Sequence, residues 1–375
     1  MINQQRLLNR LVEYVQIDSE TRNEKVYADH MISILKKLGF EIVRDNAGEK
    51  IGSNTNNIIA KRKGEKAGPS LALSAHLDTV TPGIGIEPVI EDGVIRSKGD
   101  TILGSDDKAG IAAMVEAIET AIEQQAPMGD LELLLTIAEE GGLNGSRNMD
   151  YSLVDSKYAF VFDSGGAPGE IMIQGPAQDK IEIVITGRPA HAGVCPEEGI
   201  SAIQVAAHAI DQMKLLRIDE ETTANIGIIK GGKATNIVCP EVTIQAEARS
   251  LKNEKLDIQT KHMVACFEDA CKTYNADYRV DVERAYDAYL FEKNDPFLEY
   301  TRKHVEAAGL TPEEAASGGG SDTNVYNANG IKALNLGIGM SKCHTLEEFI
   351  KVEHLNQSAE LVYQMITEFW KSELN

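Results

Sequence analysis

Residues 131–138 read LELLLTIA, apolar at nearly every position, and run directly into Glu139, Glu140 and two glycines. A strand with one face in water alternates apolar and polar side chains. This run instead predicts a strand buried on both faces, inside a sheet covered by helices on each side. Residues 1–178 supply the other parts of such a layer. Helical spacing marks residues 3–18, 25–38 and 107–124, and short apolar runs predict strands near 56–62, 70–77 and 158–163. The alternation is that of an α/β domain.

The pattern changes near residue 179. KIEIVITG alternates, SAIQVAAHAIDQMKLL is helical, and TTANIGIIKGG and EVTIQAEARS read as two strands. A helix over about 253–274 and the strand ADYRVDVERAY complete a β-α-β-β-α-β order, the signature of a two-layer α+β ferredoxin-like unit. PFLEYTRKHVEAAGL, KALNLGIG and VEHLNQSAELVYQMITEFW then resume the first style. The economical reading is one discontinuous α/β domain, 1–178 with 289–375, interrupted by an inserted domain over 179–288.

Composition narrows the partners. With 58 acidic against 37 basic residues the net charge is −21, which argues against nucleic acid and anionic membrane as partners. Five cysteines without a C-x-x-C pair predict neither a disulfide framework nor a structural zinc knuckle. The N-terminal segment has the spacing of an amphipathic helix and lacks a signal-peptide layout, so a cytoplasmic location is expected.

Eight histidines sort by context. His30, His208, His262, His304 and His354 sit in helical patterns and read as structural or surface residues. His76, His191 and His344 sit at strand ends or in glycine-containing loops, where binding groups concentrate. In LALSAHLDTVTPG, His76 and Asp78 share one strand face, so the carboxylate can orient the ring, whether as a structural pair or at a metal or catalytic histidine. Asp106 and Asp107 precede a helix, where acids also serve as caps. Glu139 and Glu140 emerge from a buried strand, and both reach one site only if the chain turns there, which Gly141 and Gly142 permit. Asp163 ends a third strand, and His344 precedes Thr345 and Glu348, a pair that fits a helix capping box. Imidazoles and carboxylates gathered at strand ends meet the demands of a divalent transition metal and of hydrolysis by activated water. The loop SGGGSD lacks the lysine of a P-loop and the spacing of a dinucleotide fingerprint. Cys343, beside His344, reads as a bystander thiol.

SAHLDTV, GSDDKAG, AEEGG, VFDSGG, GRPAHAG, ATNIV and GGGSD, in this order, resemble the co-catalytic zinc metallopeptidases that include peptidase T, acetylornithine deacetylase and succinyl-diaminopimelate desuccinylase. The resemblance runs over essentially the whole chain, and GSDDKAG and GPAQDK look nearest to the peptidase T-like members. It implies a mixed-sheet zinc-hydrolase domain carrying an inserted lid and dimerisation domain. It also implies two Zn²⁺ per chain, with Co²⁺ or Mn²⁺ as substitutes. His76 and Asp163 would complete one metal site, Glu140 and His344 the other, with Asp106, and not Asp107, bridging them. Glu139 would be the general base acting on a metal-bridged hydroxide, Asp78 would orient His76, and His191 would stabilise the oxyanion. Asn236 and Arg249 would contact substrate. The implied activity is removal of the N-terminal residue of short peptides, tripeptides foremost, by a chain that can form a homodimer. The alternatives are an N-acyl-amino-acid deacylase or carboxypeptidase with the same machinery, and, ranked lower, a non-catalytic peptide-binding protein.

Overall fold

A computed structural model describes residues 1–374, which divide into two compact units. The first comprises Met1–Ile173, Leu290–Ser317 and Ser321–Asn375, and the second Gln174–Tyr289 with Gly318–Gly320. The glycines of SGGGSD thus group with the inserted segment rather than with the chain around them.

The first unit is built on a mixed sheet. Leu71–His76 pairs in parallel with Leu131–Thr136 on one side and Tyr158–Ser164 on the other, and Lys332–Gly337 extends the parallel run. Antiparallel neighbours close it: Ile58–Arg62 and Glu41–Arg44 at one end, Glu170–Gly175 beyond Lys332–Gly337 at the other. Every residue of Leu71–His76 and Leu131–Thr136 is buried, in keeping with a sheet covered on both faces. Glu132 breaks the apolar run at little cost, because its carboxylate accepts hydrogen bonds from Asp155 N and Ser156 N and pairs with Lys61 Nζ at 3.2 Å.

The C-terminal return is tied to this sheet by aromatic contacts. Phe160 stacks on Phe297 of the helix Pro296–Ala307 with ring centroids 4.8 Å apart, and Phe297 meets Phe369 edge-on at 6.4 Å. Phe160 is fully buried. Phe160→Ala is expected to cost about 3–5 kcal/mol, read as a lower urea midpoint at unchanged slope. A loss under about 1 kcal/mol would mean that this seam is not what holds the return segment in place.

The second unit carries the strands Ala177–Thr186, Thr222–Gly231, Glu241–Ser250 and Asp277–Tyr286, with Ala202–Asp211 and Asn253–Tyr274 as its longer helices. All pairings are antiparallel. Ala177–Thr186 lies between Glu241–Ser250 and Asp277–Tyr286, and Thr222–Gly231 lies beyond Glu241–Ser250. Ile181, Ile183, Ile185 and Ile244 bury one face of this sheet against Val205, Met263 and Phe267 of the two helices. Among the described residues, no helix is long and apolar enough to cross a membrane.

Candidate metal centre

His76 stands opposite Thr136 in the parallel register, so Leu71–His76 and Leu131–Thr136 open onto the same edge of the sheet. Carboxyl ends of parallel strands are where open α/β sheets hold ligands. The His76 ring is buried, with Nδ1 2.8 Å from the carbonyl oxygen of Asp78. A carbonyl only accepts. In the neutral ring the proton therefore sits on Nδ1, and Nε2 presents its lone pair.

Asp78 reaches His76 by a different route from the expected one. Its carboxylate lies 3.5 Å from Nδ1, farther than its backbone carbonyl. The carboxylate instead holds the next strand exit: Glu139 N donates to Oδ1 at 2.9 Å, and Glu140 N donates to Oδ2 at 3.2 Å. Thr21 Oγ1 donates to Oδ2 at 2.8 Å. One buried aspartate thus ties the strand ends of His76 and of the two glutamates together.

The exit that carries Glu139 and Glu140 has left-handed residues on both sides, Ala138 at φ +47° before them and Gly142 at φ +107° after them. A left-handed alanine costs roughly 1–2 kcal/mol and persists only where surrounding bonds hold it. Buried Glu24 helps to supply them, accepting from Ala138 N at 3.0 Å and from Ser53 Oγ at 2.9 Å. Nothing in the sequence near Glu24 marks it for this task.

Asp106 and Asp107 are not helix caps. They fall at the start of the helix Ser105–Glu123 with non-helical backbone angles, and both are buried. Asp106 Oδ1 lies 2.9 Å from His76 Nε2, and Oδ2 lies 3.3 Å from His344 Nε2. A single carboxylate thus turns one oxygen to each imidazole. His344 Nε2 is also 2.7 Å from Glu140 Oε1, and Asp163 Oδ1 is 3.8 Å from His76 Nε2. Asp107, set aside by the family pattern, comes to the same edge. Its Oδ2 accepts from His76 N at 3.3 Å, its Oδ1 has no hydrogen-bond partner among the described residues, and its ligand atom falls within 4.8 Å of those of His76 and Asp163.

The electrostatics of this cluster follow from crowding. Burial, reinforced by neighbouring carboxylates, pushes the carboxyls of Asp163, Glu139, Asp107 and Glu140 above the usual range. Burial acts on Asp106 in the same direction, but the His344 and His76 rings against it hold its carboxyl low. Contact with Asp106 and then Glu140 lifts His344 to about 10. Two imidazoles face five carboxyl groups, an excess of acids that burial inclines to hold their protons. Imidazole nitrogen and carboxylate oxygen in this arrangement fit divalent transition metals, whose charge would favour the ionised carboxylates.

Two further acids shape the site. Asp322, in the SGGGSD loop, is buried and accepts from Thr136 Oγ1 and Ser146 Oγ, each at 2.5 Å. The sequence reading passed over it as part of a glycine loop. Glu348 was expected to cap a helix with Thr345, but no helix starts there. Residues 342–348 turn into the short strand Phe349–Lys351, and the Glu348 carboxylate bonds to the segment Leu103–Asp106 instead.

The remaining predicted residues lie in the second unit. Ala192 N donates to Asn236 O at 3.0 Å, and His191 bridges Ile237, which places the exposed His191 and Asn236 on adjoining segments. Arg249 was expected to offer its fork to substrate. In the structure Nε and Nη2 each lie 3.1 Å from an oxygen of Glu247, so the fork is already engaged.

Residues 72–368, which contain every candidate metal ligand and Glu139, match the model of peptidase family M20/M25/M40. The chain belongs to this family. It is a hydrolase of the peptidase class, as the resemblance of its motifs implied. Among solved structures, it is similar to the aminopeptidase PepT of Bacillus cereus ATCC 10987, at 44% identity and a TM-score of 0.91, covering 98% of this chain and 99% of that one. It is also similar to a tripeptidase of Staphylococcus aureus subsp. aureus Mu50, at 39% identity and a TM-score of 0.95, covering 99% of this chain and 100% of that one. The uncharacterized protein YqjE of Bacillus subtilis (strain 168) is 42% identical over 98% of this chain and 99% of its own length.

Proposed function

We propose that this M20 peptidase is an aminopeptidase of short peptides, tripeptides foremost, working with two divalent cations, zinc in the cell and Co²⁺ or Mn²⁺ as substitutes. The observation that carries the reading is the Asp106 carboxylate set between two imidazoles, with buried Glu139 next to Glu140 in the chain and outside both candidate ligand groups. The identities to an aminopeptidase and a tripeptidase support the substrate class.

His76 and Asp163 would hold one cation, Glu140 and His344 the other, and Asp106 would join them. The cations would polarise the scissile carbonyl and lower the pKa of water. Asp78 keeps the His76 lone pair aimed by its carbonyl and fixes Glu139 and Glu140 by their backbone N–H groups. Glu139 takes the proton from water and returns it to the departing amine. His191 donates to the oxyanion of the tetrahedral intermediate, and Asn236 and Arg249 contact the peptide backbone or its carboxylate. The Glu247 pair holds Arg249 in place until a substrate carboxylate competes for it. The unit Gln174–Tyr289 acts as lid and as the contact of a homodimer. Five cysteines free of disulfides are in keeping with a reducing cytoplasm.

The test offers the metal-loaded enzyme tripeptides, dipeptides, N-acetylated amino acids and C-terminally blocked peptides. Cleavage that requires a free N-terminus, prefers tripeptides and is abolished by a chelator is expected. Preference for N-acylated substrates would make the chain a deacylase. Release of the C-terminal residue would make it a carboxypeptidase.

A further inference from the structure

Half of the His344 side chain is exposed, and its backbone lies in the left-handed region at φ +64°. Neither burial nor an ordinary backbone conformation therefore holds this imidazole 3.3 Å from Asp106. What does hold it lies at the foot of its loop. Met340–Ser341 pairs antiparallel with Phe349–Lys351, closing the base of residues 342–348, and Phe349–Lys351 pairs in turn with Val94–Ser97. At the end of that loop stands Glu348, 1% exposed, with no cation among its hydrogen-bond partners.

Both oxygens of Glu348 are spent on the chain segment that ends at Asp106. Oε2 accepts from Leu103 N and Gly104 N, each at 2.9 Å. Oε1 accepts from Ser105 Oγ at 2.6 Å and from Asp106 N at 3.2 Å. Gly104 lies in the left-handed region, and Asp106 has non-helical angles, so this segment has no regular ladder of its own to fix it. A carboxylate that takes up such orphan donors replaces the missing ladder with charge-assisted bonds.

We propose that Glu348 is a positioning residue: it locks the His344 loop to the Asp106 turn and so sets the spacing of the metal site that these two share with Glu140. The inference rests on the metal reading above. It predicts that damage at Glu348 reaches the cation held by His344 and Glu140 far more than the one held by His76 and Asp163, although Glu348 touches neither cation.

The test titrates the full-length chain, stripped of metal, with Co²⁺, following cobalt d–d absorption and heat. The wild type is expected to bind two Co²⁺, and His344→Ala to lose the second, the one held with Glu140. In Glu348→Gln an amide NH₂ faces backbone N–H donors. The second Co²⁺ should then bind roughly 10–100-fold more weakly while the first changes by less than about threefold. Ser105→Ala removes only the 2.6 Å donor and should shift the same step by roughly fivefold. It decides the matter if Glu348→Gln does not fold. A folded Glu348→Gln with wild-type affinities, or an equal loss at both steps with a lower unfolding midpoint of the metal-free chain, overturns the positioning role. A wild type that binds fewer than two Co²⁺, or a His344→Ala that keeps both, instead removes the metal assignment on which the role depends.

Discussion

Glu139→Gln is expected to lower kcat for tripeptide hydrolysis by roughly 10²–10⁴-fold while the protein retains both cations. The two halves of this expectation come from different features. Glu139 is buried at the strand exit, and its backbone N–H is anchored to Asp78 at 2.9 Å, so the main chain that carries it is fixed independently of its charge. The candidate ligand groups, meanwhile, contain Glu140 and not Glu139. A glutamine fills the same space and still accepts a hydrogen bond from water, but it cannot take a proton. KM should change little, because binding does not require the transfer. Metal analysis and steady-state kinetics on the same preparation check the result. Loss of a cation in this variant would make Glu139 a ligand, and near-normal turnover would move the base elsewhere.

The second large effect is expected at Asp106, compared with its neighbour. Asp106→Asn should remove at least one cation per chain and take activity with it, since an amide cannot present an anionic oxygen to both His76 and His344. Asp107→Asn should keep both cations and lose activity by no more than about tenfold, in the range expected of a residue that supports a ligand rather than being one. Asp107 is a serious rival. It is fully buried, it bonds the backbone of His76, and one of its oxygens falls within ligand reach of His76 and Asp163. If Asp107→Asn lost the cation and Asp106→Asn kept it, the bridge would belong to Asp107. Metal stoichiometry of the two variants, measured side by side, separates the cases.

The strands at 71–76, 131–136 and 158–164 were legible in the chain because burial on both faces leaves a continuous apolar run. The longer helices were legible from their period, whereas Ala47–Ile51, Asn144–Arg147 and Asp322–Ala328 were too short to show one. The short strands Pro88–Glu91, Val94–Ser97 and Met340–Ser341 were not legible, since two to four residues carry no usable periodicity. The same limit hid Phe349–Lys351 and made Glu348 look like the second half of a capping box.

By itself the sequence determined which residue types stand at the strand ends. An imidazole or carboxylate that closes an apolar strand is visible locally, because burying such a group without a partner is costly and so marks a purpose. Its order of motifs also determined the family. What only the tertiary structure decided is how those groups meet. Asp106 and Asp107 are adjacent and chemically identical, yet one lies between two imidazoles and the other against a backbone N–H. Ala138 shares the left-handed exit with Gly142, and Glu24 holds its N–H from across the unit. Asp78 and Glu348 spend their charge on backbone donors far away in the chain. Hydrogen bonds between segments distant in sequence leave no period and no spacing to read, so only the folded chain reveals which carboxylate does which task.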